Sequence, residues 1–379
     1  MNSVRFGILG AGRGADLAQA IHHAPTAELV AICDQDMERL VNVTDKFPTL
    51  KTYNSWAAML DSDIDAVIVA SPMPLHVQHS IDALKAGKHV WCEKPLTCDY
   101  EDSERLVNQA KKSNQMLAEC FMYLHHQQFS RVVEFANGGE AGPVHFVSCR
   151  FGLPFLEEPG FRYDPDLCGG ALWDVATYTT SAVLDLFPEQ EVKVLFSEVC
   201  KKENFPVDNE GRALLSFSNG AKAYLDWGIG LGYRNEIDLW AENGSFFTDK
   251  IFSKPKDYQP VFRLRDKNGN ESLEYGEQAE QFVEMFRSFC CMLDNAKLTA
   301  DERQALREWL EIFVDQDAKF AIRKYAKQRK VEAKAKIEQQ NIEKARSGVP
   351  LAETVENGED EVIQEEPRNR FNKNVARMI

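Results

Sequence analysis

Residues 4–34 read VRFGILGAGRGADLAQAIHHAPTAELVAICD, and this stretch decides the fold of the first part of the chain. The apolar run Val4–Leu9 predicts a strand, and the glycines after it predict a tight turn. A helical segment then leads to a second apolar run, Glu28–Cys33, which is followed by Asp34. Strand, glycine turn, helix, strand and acid in this order are typical of a dinucleotide-binding βαβ unit.

The glycine turn and the acid predict how a cofactor is held. Gly10 permits the tight turn, Gly12 lets the backbone approach a pyrophosphate, and Ala15 lets the helix pack closely on the strand. The helix N-terminus offers N–H groups and a positive dipole end to the phosphates. Asp34 stands where a carboxylate holds ribose hydroxyls, and it favours NAD over NADP because it would repel a 2′-phosphate. The cofactor-binding residues predicted for this unit are Gly10, Gly12, Arg13, Gly14, Ala15 and Asp34.

The composition is that of a globular protein with two cores. The chain has 379 residues, 44% hydrophobic and 27% charged, with a net charge of -15. So acidic a chain is not expected to bind nucleic acid or an anionic membrane. It has no apolar run of about 18 residues, which predicts no membrane span. The sequence enters a strand almost at once and leaves no room for a signal peptide, so we expect a cytoplasmic protein.

The nine cysteines are scattered along the chain, and no two of them form a C-x-x-C pair. This usage predicts reduced thiols that serve mostly as small core residues, and no zinc site. Histidines 76, 125 and 126 fit a hydrogen-bonded scaffold as well as they fit ligands, and none has a second ligand at metal spacing.

Residues 1–122 alternate strand and helix, which predicts a Rossmann domain with a parallel sheet. The buried run Ile64–Ala70 ends in Ser71-Pro72, with His76 close behind. Ligands of open α/β sheets bind at the carboxyl ends of the strands, so Ser71, Pro72 and His76 are candidate cofactor-binding residues.

From residue 123 the pattern changes to that of a second domain, predicted over 123–325. A helix over Gln127–Asn137 precedes a series of alternating runs, and Asn219-Gly220 between two of them predicts a hairpin. We therefore expect an α+β domain with a large, mostly antiparallel open sheet. The predicted strands are Val144–Phe151, Val192–Val199, Gly211–Phe217, Lys222–Trp227 and Glu236–Ala241, and the closing helices are Glu277–Asp294 and Ala300–Tyr325. Residues 326–379 are charged and predict a solvated helix extension followed by disorder, in preference to a docking segment.

Glu93-Lys94-Pro95 follows a predicted sheet strand, on the same edge as the glycine turn. Burial and a nearby nicotinamide charge would both lower the pKa of the Lys94 ammonium and suit it to proton transfer. The alternative is a surface lysine that forms an ion pair with Glu93. The tripeptide alone leaves both interpretations open.

Gly169-Gly170 leads into an apolar run that predicts a helix, on which Asp174 and Tyr178 are four residues apart and share one face. An acid and a phenol so placed can hold and protonate a sugar hydroxyl or ketone. The alternative is an acid near a helix N-terminus beside a packed tyrosine.

The combination of motifs resembles the glucose–fructose oxidoreductase / inositol dehydrogenase / MocA family over residues 1 to about 325. Tyr123 and Arg162 also resemble a branch with dihydrodiol dehydrogenases and nucleotide-sugar ketoreductases. Met73 departs from the family pattern, which has Asn there, and Cys168 and Ala176 replace glycines. The motifs that carry the family resemblance are Gly10-Ala11-Gly12-Arg13-Gly14-Ala15, Ser71-Pro72 with His76, Glu93-Lys94-Pro95, and Gly169-Gly170-Ala171-Leu172-Trp173-Asp174-Val175-Ala176-Thr177-Tyr178. The stretch Glu119-Cys120-Phe121-Met122-Tyr123 carries the resemblance to the branch.

The resemblance implies a nicotinamide cofactor, a sugar-like substrate and a homodimer or homotetramer packed through the second sheet. It implies that Lys94, Tyr178 and Asp174 are catalytic and that Glu93 and Lys94 also contact the cofactor. The substrate-binding residues that it implies are Tyr123, Arg162, Trp173 and Asp174. The expected function is hydride transfer between nicotinamide and a sugar or nucleotide-sugar alcohol or ketone. The alternatives are a cyclic diol dehydrogenase and a non-catalytic dinucleotide-binding regulator.

Overall fold

The computed structural model describes residues 3–295, except residues 25, 158–159, 189 and 204. Its first part is a six-stranded parallel sheet in the order β3-β2-β1-β4-β5-β6, with helices between successive strands. The elements are β1 (Val4–Leu9), α1 (Ala11–His23), β2 (Ala27–Cys33), α2 (Met37–Thr44), β3 (Lys51–Tyr53), α3 (Trp56–Leu60), β4 (Ala66–Val69), α4 (His76–Lys85), β5 (His89–Cys92), α5 (Tyr100–Ser113) and β6 (Leu117–Glu119). This is the predicted Rossmann sheet.

The glycine turn brings α1 directly onto β1. Gly10 has φ +103°, and a side chain there would collide with the backbone carbonyl of Ala70 on the neighbouring strand's loop. A Cβ on Gly14 would lie 2.6 Å from Ile8 Cγ2. Gly14 is therefore the residue of α1 that lies directly on β1, a role that the sequence analysis did not assign to it. Ala15, the predicted close-packing position, is half-buried and also packs against the core.

The second part is an eight-stranded sheet in the order β14-β13-β12-β11-β7-β10-β9-β8. β7 and β10 run parallel, and every other neighbouring pair is antiparallel, as predicted for a mostly antiparallel sheet. The elements are α6 (Gln127–Asn137), β7 (Val144–Leu153), α7 (Thr177–Leu186), β8 (Val192–Cys200), β9 (Glu210–Phe217), β10 (Lys222–Ile229), β11 (Arg234–Ala241), β12 (Gly244–Asp249), β13 (Val261–Asp266), β14 (Glu271–Tyr275) and α8 (Gln281–Asn295).

The predicted hairpin joins β9 to β10. Gly220 has φ +91°, the backbone N–H of Phe217 donates to the Ala221 carbonyl, and the Asn219 side chain accepts from the Ala221 N–H. The sequence did not predict β12, β13 and β14, which extend the sheet by three strands.

The last described helix, α8, returns to the first sheet. The centre of the Phe289 ring lies 4.3 Å from that of Trp91 on β5 and 5.8 Å from that of Phe6 on β1. The ring centres of Phe286 and Phe6 are 5.7 Å apart. Part of the segment predicted as the second domain thus completes the core of the first. The predicted helix over Ala300–Tyr325 and the predicted tail, 326–379, lie outside the described residues.

The cysteine prediction needs one correction. Cys98 and Cys168 form a disulfide, although they are 70 residues apart in the sequence. Reduced thiols were expected because no short-range pairing was visible, and the bond arises where the loop after β5 meets the loop before Gly169. The other seven cysteines are free, and five of them are buried, as expected of small core residues.

No helix in the described part is long and apolar enough to cross a membrane. Within the same residues there is no group of three or more His, Cys, Asp or Glu side chains that could hold a metal ion.

Candidate active site

Three charged side chains meet at the carboxyl edge of the first sheet. The Lys94 ammonium lies 2.6 Å from Asp174 Oδ1 and also donates to the Asp174 backbone carbonyl at 2.8 Å. Arg162 Nε donates to the other carboxylate oxygen, Asp174 Oδ2, at 2.8 Å. The Asp174 side chain is only 3% exposed and that of Lys94 13%. Each part of the chain thus contributes to one buried ionic cluster.

The cluster fixes the charge of its members. Burial lowers the pKa of Lys94, but Asp174, Tyr178 and Glu93 together raise it by more, so the net shift is upward. Burial raises the pKa of Asp174, but the charges of Lys94 and Arg162 outweigh it, and that carboxyl stays ionised. The expectation that the pKa of Lys94 is lowered is therefore corrected, because its counter-ion is a buried carboxylate that the sequence does not place.

The helix that carries Asp174 begins with an irregular turn. Residues Leu172–Ala176 have π-helical geometry and continue into α7. Such bulges are frequent at functional sites because they turn a side chain away from the regular helical position. Here Asp174 points to Lys94, and Tyr178 lies one turn further along the same face.

The Tyr178 ring packs against the Lys94 ammonium. Lys94 Nζ lies 4.8 Å from the centre of the Tyr178 ring, which is a cation–π distance. The Tyr178 side chain is 7% exposed, and burial raises the pKa of its phenol, whereas the Lys94 charge lowers it. Its hydroxyl lies 4.0 Å from Met122 Sδ. The ring also packs against Phe121, Tyr123, Phe151 and Phe252.

Arg13, in the glycine turn, also lies at the carboxyl edge of the first sheet. Arg13 Nε lies 3.4 Å from Glu93 Oε1 and its guanidinium also pairs with Asp16. Glu93 Oε2 accepts the backbone N–H of Lys94 at 3.3 Å. Of the two interpretations of Lys94, the structure thus rejects an ammonium paired with Glu93, because the ammonium binds Asp174 and Glu93 binds Arg13.

Asp34 lies against the glycine turn. Its Oδ2 accepts the backbone N–H of Ala11 at 2.7 Å, and its Oδ1 accepts that of Asp36 at 2.9 Å. Sequence reasoning missed Arg39, whose Nη1 lies 3.7 Å from the position of a Cβ on Gly12. The signal was present, because a basic residue shortly after the acid of such a unit can accommodate a 2′-phosphate.

His76 joins the two loops that flank the cluster. Its Nδ1 lies 2.9 Å from the Pro95 carbonyl and its Nε2 lies 2.8 Å from the Ser71 carbonyl, and the residue is 1% exposed. Both ring nitrogens face backbone oxygens, so His76 holds the loops and does not itself present a nitrogen to a cofactor. The Ser71 hydroxyl bonds His79 Nδ1 at 2.9 Å, and Pro72 follows at the strand's carboxyl end.

Two of the expected substrate-binding residues lie away from the cluster. Tyr123 has no exposed surface, and its hydroxyl bonds Ser181 Oγ at 2.6 Å, so it supports α7 and cannot touch a substrate in this structure. Trp173 lines a pocket with Pro95 and Thr177, because consecutive helical residues point in different directions, and its contact with substrate stays a prediction. Arg162 and Asp174 are the two expected substrate contacts that lie in the cluster itself.

The residues present fit a dinucleotide. The turn at Gly10 has no room for a side chain, Gly12 is exposed at the start of α1, and Asp34 lies at the end of β2. Backbone N–H groups at such a helix start bind phosphates. A parallel dinucleotide-binding sheet with a buried Lys–Asp pair at its carboxyl edge defines a nicotinamide-dependent oxidoreductase of two-domain type.

Comparison with known families agrees with this class. A profile described as "Oxidoreductase family, NAD-binding Rossmann fold" (GFO_IDH_MocA) matches residues 4–121, and the "GFO/IDH/MocA C-terminal domain" profile matches residues 129–247. The chain belongs to the GFO/IDH/MocA family of oxidoreductases.

Its relatives include dTDP-3,4-didehydro-2,6-dideoxy-alpha-D-glucose 3-reductase of Actinomadura kijaniata, 30% identical over 82% of this chain and 91% of that protein. Trans-1,2-dihydrobenzene-1,2-diol dehydrogenase of Xenopus tropicalis is 26% identical over 64% of this chain and 74% of that protein. Among solved structures, KijD10, a 3-ketoreductase from Actinomadura kijaniata in complex with NADP and TDP-benzene, has a TM-score of 0.74 and 29% identity. That match covers 83% of this chain and 95% of the solved chain.

Proposed function

We propose that this protein transfers hydride between a bound nicotinamide dinucleotide and a sugar or nucleotide-sugar alcohol or ketone. The observation that carries the proposal is the Lys94–Asp174–Arg162 cluster at the edge where the glycine turn opens. The 3-reductase from Actinomadura kijaniata, which acts on a dTDP-linked sugar ketone, supports this choice of substrate class.

The chain's own residues supply binding and proton transfer. Lys94 has three N–H groups, of which two point to Asp174 oxygens, and the third can donate to a substrate oxygen. The charged ammonium stabilises negative charge on that oxygen and can deliver its proton as the alkoxide forms. Asp174 orients Lys94, and the remaining N–H groups of Arg162 can hold a neighbouring hydroxyl or phosphate.

Tyr178 is the second proton-transfer group of the proposal. Its ring holds the Lys94 ammonium by a cation–π contact, and its hydroxyl is the acid/base group that the sequence predicts. The two roles are separable, because removing only the hydroxyl leaves the ring in place.

NAD is the proposed preferred cofactor, with Asp34 as the selecting residue. The carboxylate at the end of β2 repels a 2′-phosphate and accepts ribose hydroxyls. NADP occupies the KijD10 structure, and Arg39 beside Gly12 is the group of this chain that could pair with a 2′-phosphate. Cofactor choice therefore depends on the balance between Asp34 and Arg39.

The proposed assembly is a homodimer or homotetramer through the outer face of the eight-stranded sheet. Phe196, Leu214 and Tyr224 lie side by side on that face, and Trp240 is next to Phe146. The Trp240 residue is 66% exposed and Phe196 49%. Exposed aromatic side chains on one face of a sheet favour self-association. We propose a cytoplasmic location for the assembly, because seven of the nine cysteines are free thiols and only the Cys98–Cys168 pair is oxidised.

The test of function is a cofactor-coupled screen. The protein is mixed with NADH or NADPH and a panel of keto-sugars, dTDP-linked keto-sugars and cyclic diones, and with NAD or NADP and the matching alcohols and diols. Loss or gain of nicotinamide absorbance with a sugar supports the proposal. Turnover of diols alone favours the cyclic diol dehydrogenase, and tight cofactor binding without turnover of any compound favours the non-catalytic regulator.

A further inference from the structure

Asp208, in the loop between β8 and β9, touches the start of the helix that carries Asp174. Its backbone carbonyl accepts the N–H of Ala171 at 3.1 Å, and its Oδ2 accepts the N–H of Leu172 at 2.8 Å. These are the first N–H groups of the helix, which have no intrahelical partner and need an acceptor from elsewhere. Leu172 is two residues before Asp174, so the bond acts close to the cluster.

The approach of Asp208 leaves no space at the preceding turn. Gly170 has φ +117°, and a side chain there would collide with the Asp208 carboxylate. The Gly170 carbonyl in turn accepts the backbone N–H of Asp174 at 3.1 Å. Gly169-Gly170 is therefore more than a loop that enters a helix. The turn also leaves space for the Asp208 carboxylate.

The loop that presents Asp208 is itself fixed. Asn209 is fully buried, its side-chain Oδ1 accepts the N–H of Lys202 at 2.8 Å, and its backbone N–H donates to the Cys200 carbonyl. The Ile229 N–H donates to the Asn209 carbonyl at 2.7 Å, which ties the loop to β10. Asp208 thus links the start of the helix to the sheet through hydrogen bonds.

We propose that Asp208 is a positioning residue that holds Asp174 in register with Lys94 and Arg162. The inference rests on the proposed function for its catalytic consequence, but the positioning itself does not depend on a substrate. A carboxylate at a helix N-terminus is also favoured by the helix dipole. Burial raises the pKa of Asp208 to about 6, and no charged side chain contributes to this shift, so its main contacts are the backbone N–H groups that it accepts.

The first experiment measures position without a substrate. Asp208→Ala removes the side-chain acceptor of the Leu172 N–H and leaves the backbone carbonyl that accepts the Ala171 N–H. Asp208→Asn keeps a side-chain oxygen that can accept the Leu172 N–H. Hydrogen–deuterium exchange is followed in peptides that cover 168–176, together with the rate at which an amine-reactive ester labels Lys94, read by mass spectrometry. We expect both rates to rise in Asp208→Ala and to stay near native in Asp208→Asn. Native rates in a folded Asp208→Ala would overturn the proposal.

The second experiment measures the consequence for the reaction. A displacement of about 1 Å can cost roughly 10²-fold in rate, so we expect kcat of Asp208→Ala to fall by about 10- to 100-fold, with cofactor Kd unchanged and kcat restored in Asp208→Asn. Equal kcat in the native chain and the folded Ala variant would overturn the proposal. If the Ala variant does not fold, Asp208→Glu, which moves the carboxylate by one methylene, is measured by the same assays. We then expect of Asp208→Glu the higher exchange and labelling rates and the lower kcat that we expect of Asp208→Ala.

Asp266→Ala is the matched control. Asp266 accepts the backbone N–H groups of Asn268 and Asn270 in the exposed turn between β13 and β14, away from the cluster. It should leave Lys94 labelling and kcat unchanged. If the native chain turns over no compound of the screen while Asp208→Ala still exposes Lys94, the proposed function fails and the positioning role stands.

Discussion

Lys94 and Asp174 are 80 residues apart in the sequence, and their side chains meet at 2.6 Å. One follows a strand of the parallel sheet, and the other stands on the helix that covers the antiparallel sheet. Asp174 also binds Arg162, so the carboxylate would keep a partner if Lys94 were removed. A buried charge without a partner is strongly destabilising. Because Arg162 would still pair with Asp174, Lys94 can be replaced without leaving such a charge.

Replacing Lys94 tests its chemical role. We expect Lys94→Ala to lower turnover by about 10²–10⁴-fold, the range that general acid–base groups contribute. Lys94→Met, which keeps the apolar stem, should lose as much activity, with a melting temperature close to that of the native chain. Turnover is measured with the substrate found by the screen. Substantial activity in either variant would mean that Lys94 serves only the ion pair.

Tyr178→Phe separates the hydroxyl from the ring. The ring contacts remain, so we expect the melting temperature to change little, whereas turnover should fall by about 10²-fold if the hydroxyl moves a proton. The measurement is kcat beside thermal melting. Near-normal turnover would end the acid/base assignment of Tyr178 and leave Lys94 as the sole candidate, with Tyr178 acting through its ring.

Cofactor preference is tested at Asp34 and Arg39. The native chain should bind NADH more tightly than NADPH in fluorescence titrations. Asp34→Ser should narrow that preference because it removes the repulsion of the 2′-phosphate. Arg39→Ala should weaken the binding of NADPH and have little effect on the binding of NADH. Tighter binding of NADPH by the native chain would contradict the preference for NAD.

The outer face of the eight-stranded sheet gives a prediction about assembly. Trp240→Glu should separate the subunits, because it introduces a charge into an apolar contact. Size-exclusion chromatography with light scattering should then give the mass of one chain, 43.0 kDa. Val41→Glu, at an exposed apolar position on α2, is the control and should leave the mass of the native assembly unchanged. A native chain that is already monomeric would refute the interface.

Sequence reasoning succeeded where the pattern is local. The glycine turn, the alternating strands and the Asn219-Gly220 hairpin depend on neighbouring residues, and the structure confirms each of them. The strand β14 was missed because all five of its residues are exposed, so it has no alternation of buried and exposed positions. An edge strand with no buried face leaves little trace in the sequence.

The sequence singled out Lys94 and Asp174, which the structure brings together, but it did not predict their contact. Glu93-Lys94-Pro95 and Asp174 were found from strand ends and helix spacing, but the Lys94–Asp174 bond joins distant segments. The Cys98–Cys168 disulfide and the return of α8 to Trp91 depend on long-range packing in the same way. Tyr123 was assigned to substrate from a motif, and only the fold shows that its side chain is enclosed.

A buried histidine predicts how stability depends on pH. Burial is the main cause that lowers the pKa of His126 to about 4, from a usual 6.5, and Lys254 adds to it. Its Nδ1 accepts the Gln128 N–H at the start of α6, so Nε2 carries the proton that is donated to the Ala279 carbonyl. Protonation would take the lone pair that caps the helix.

The folded chain therefore binds fewer protons at His126 than the unfolded chain does between about pH 6.5 and pH 4. The stability that this group contributes is fully present above pH 6.5 and is lost as the pH falls through that window. His126→Asn keeps an acceptor for the cap and cannot titrate, so its melting temperature should fall less steeply from pH 7 to pH 4.5 than that of the native chain. His23→Asn, at an exposed position on α1, should follow the native curve. Parallel curves for the native chain and His126→Asn would show that His126 does not govern acid stability.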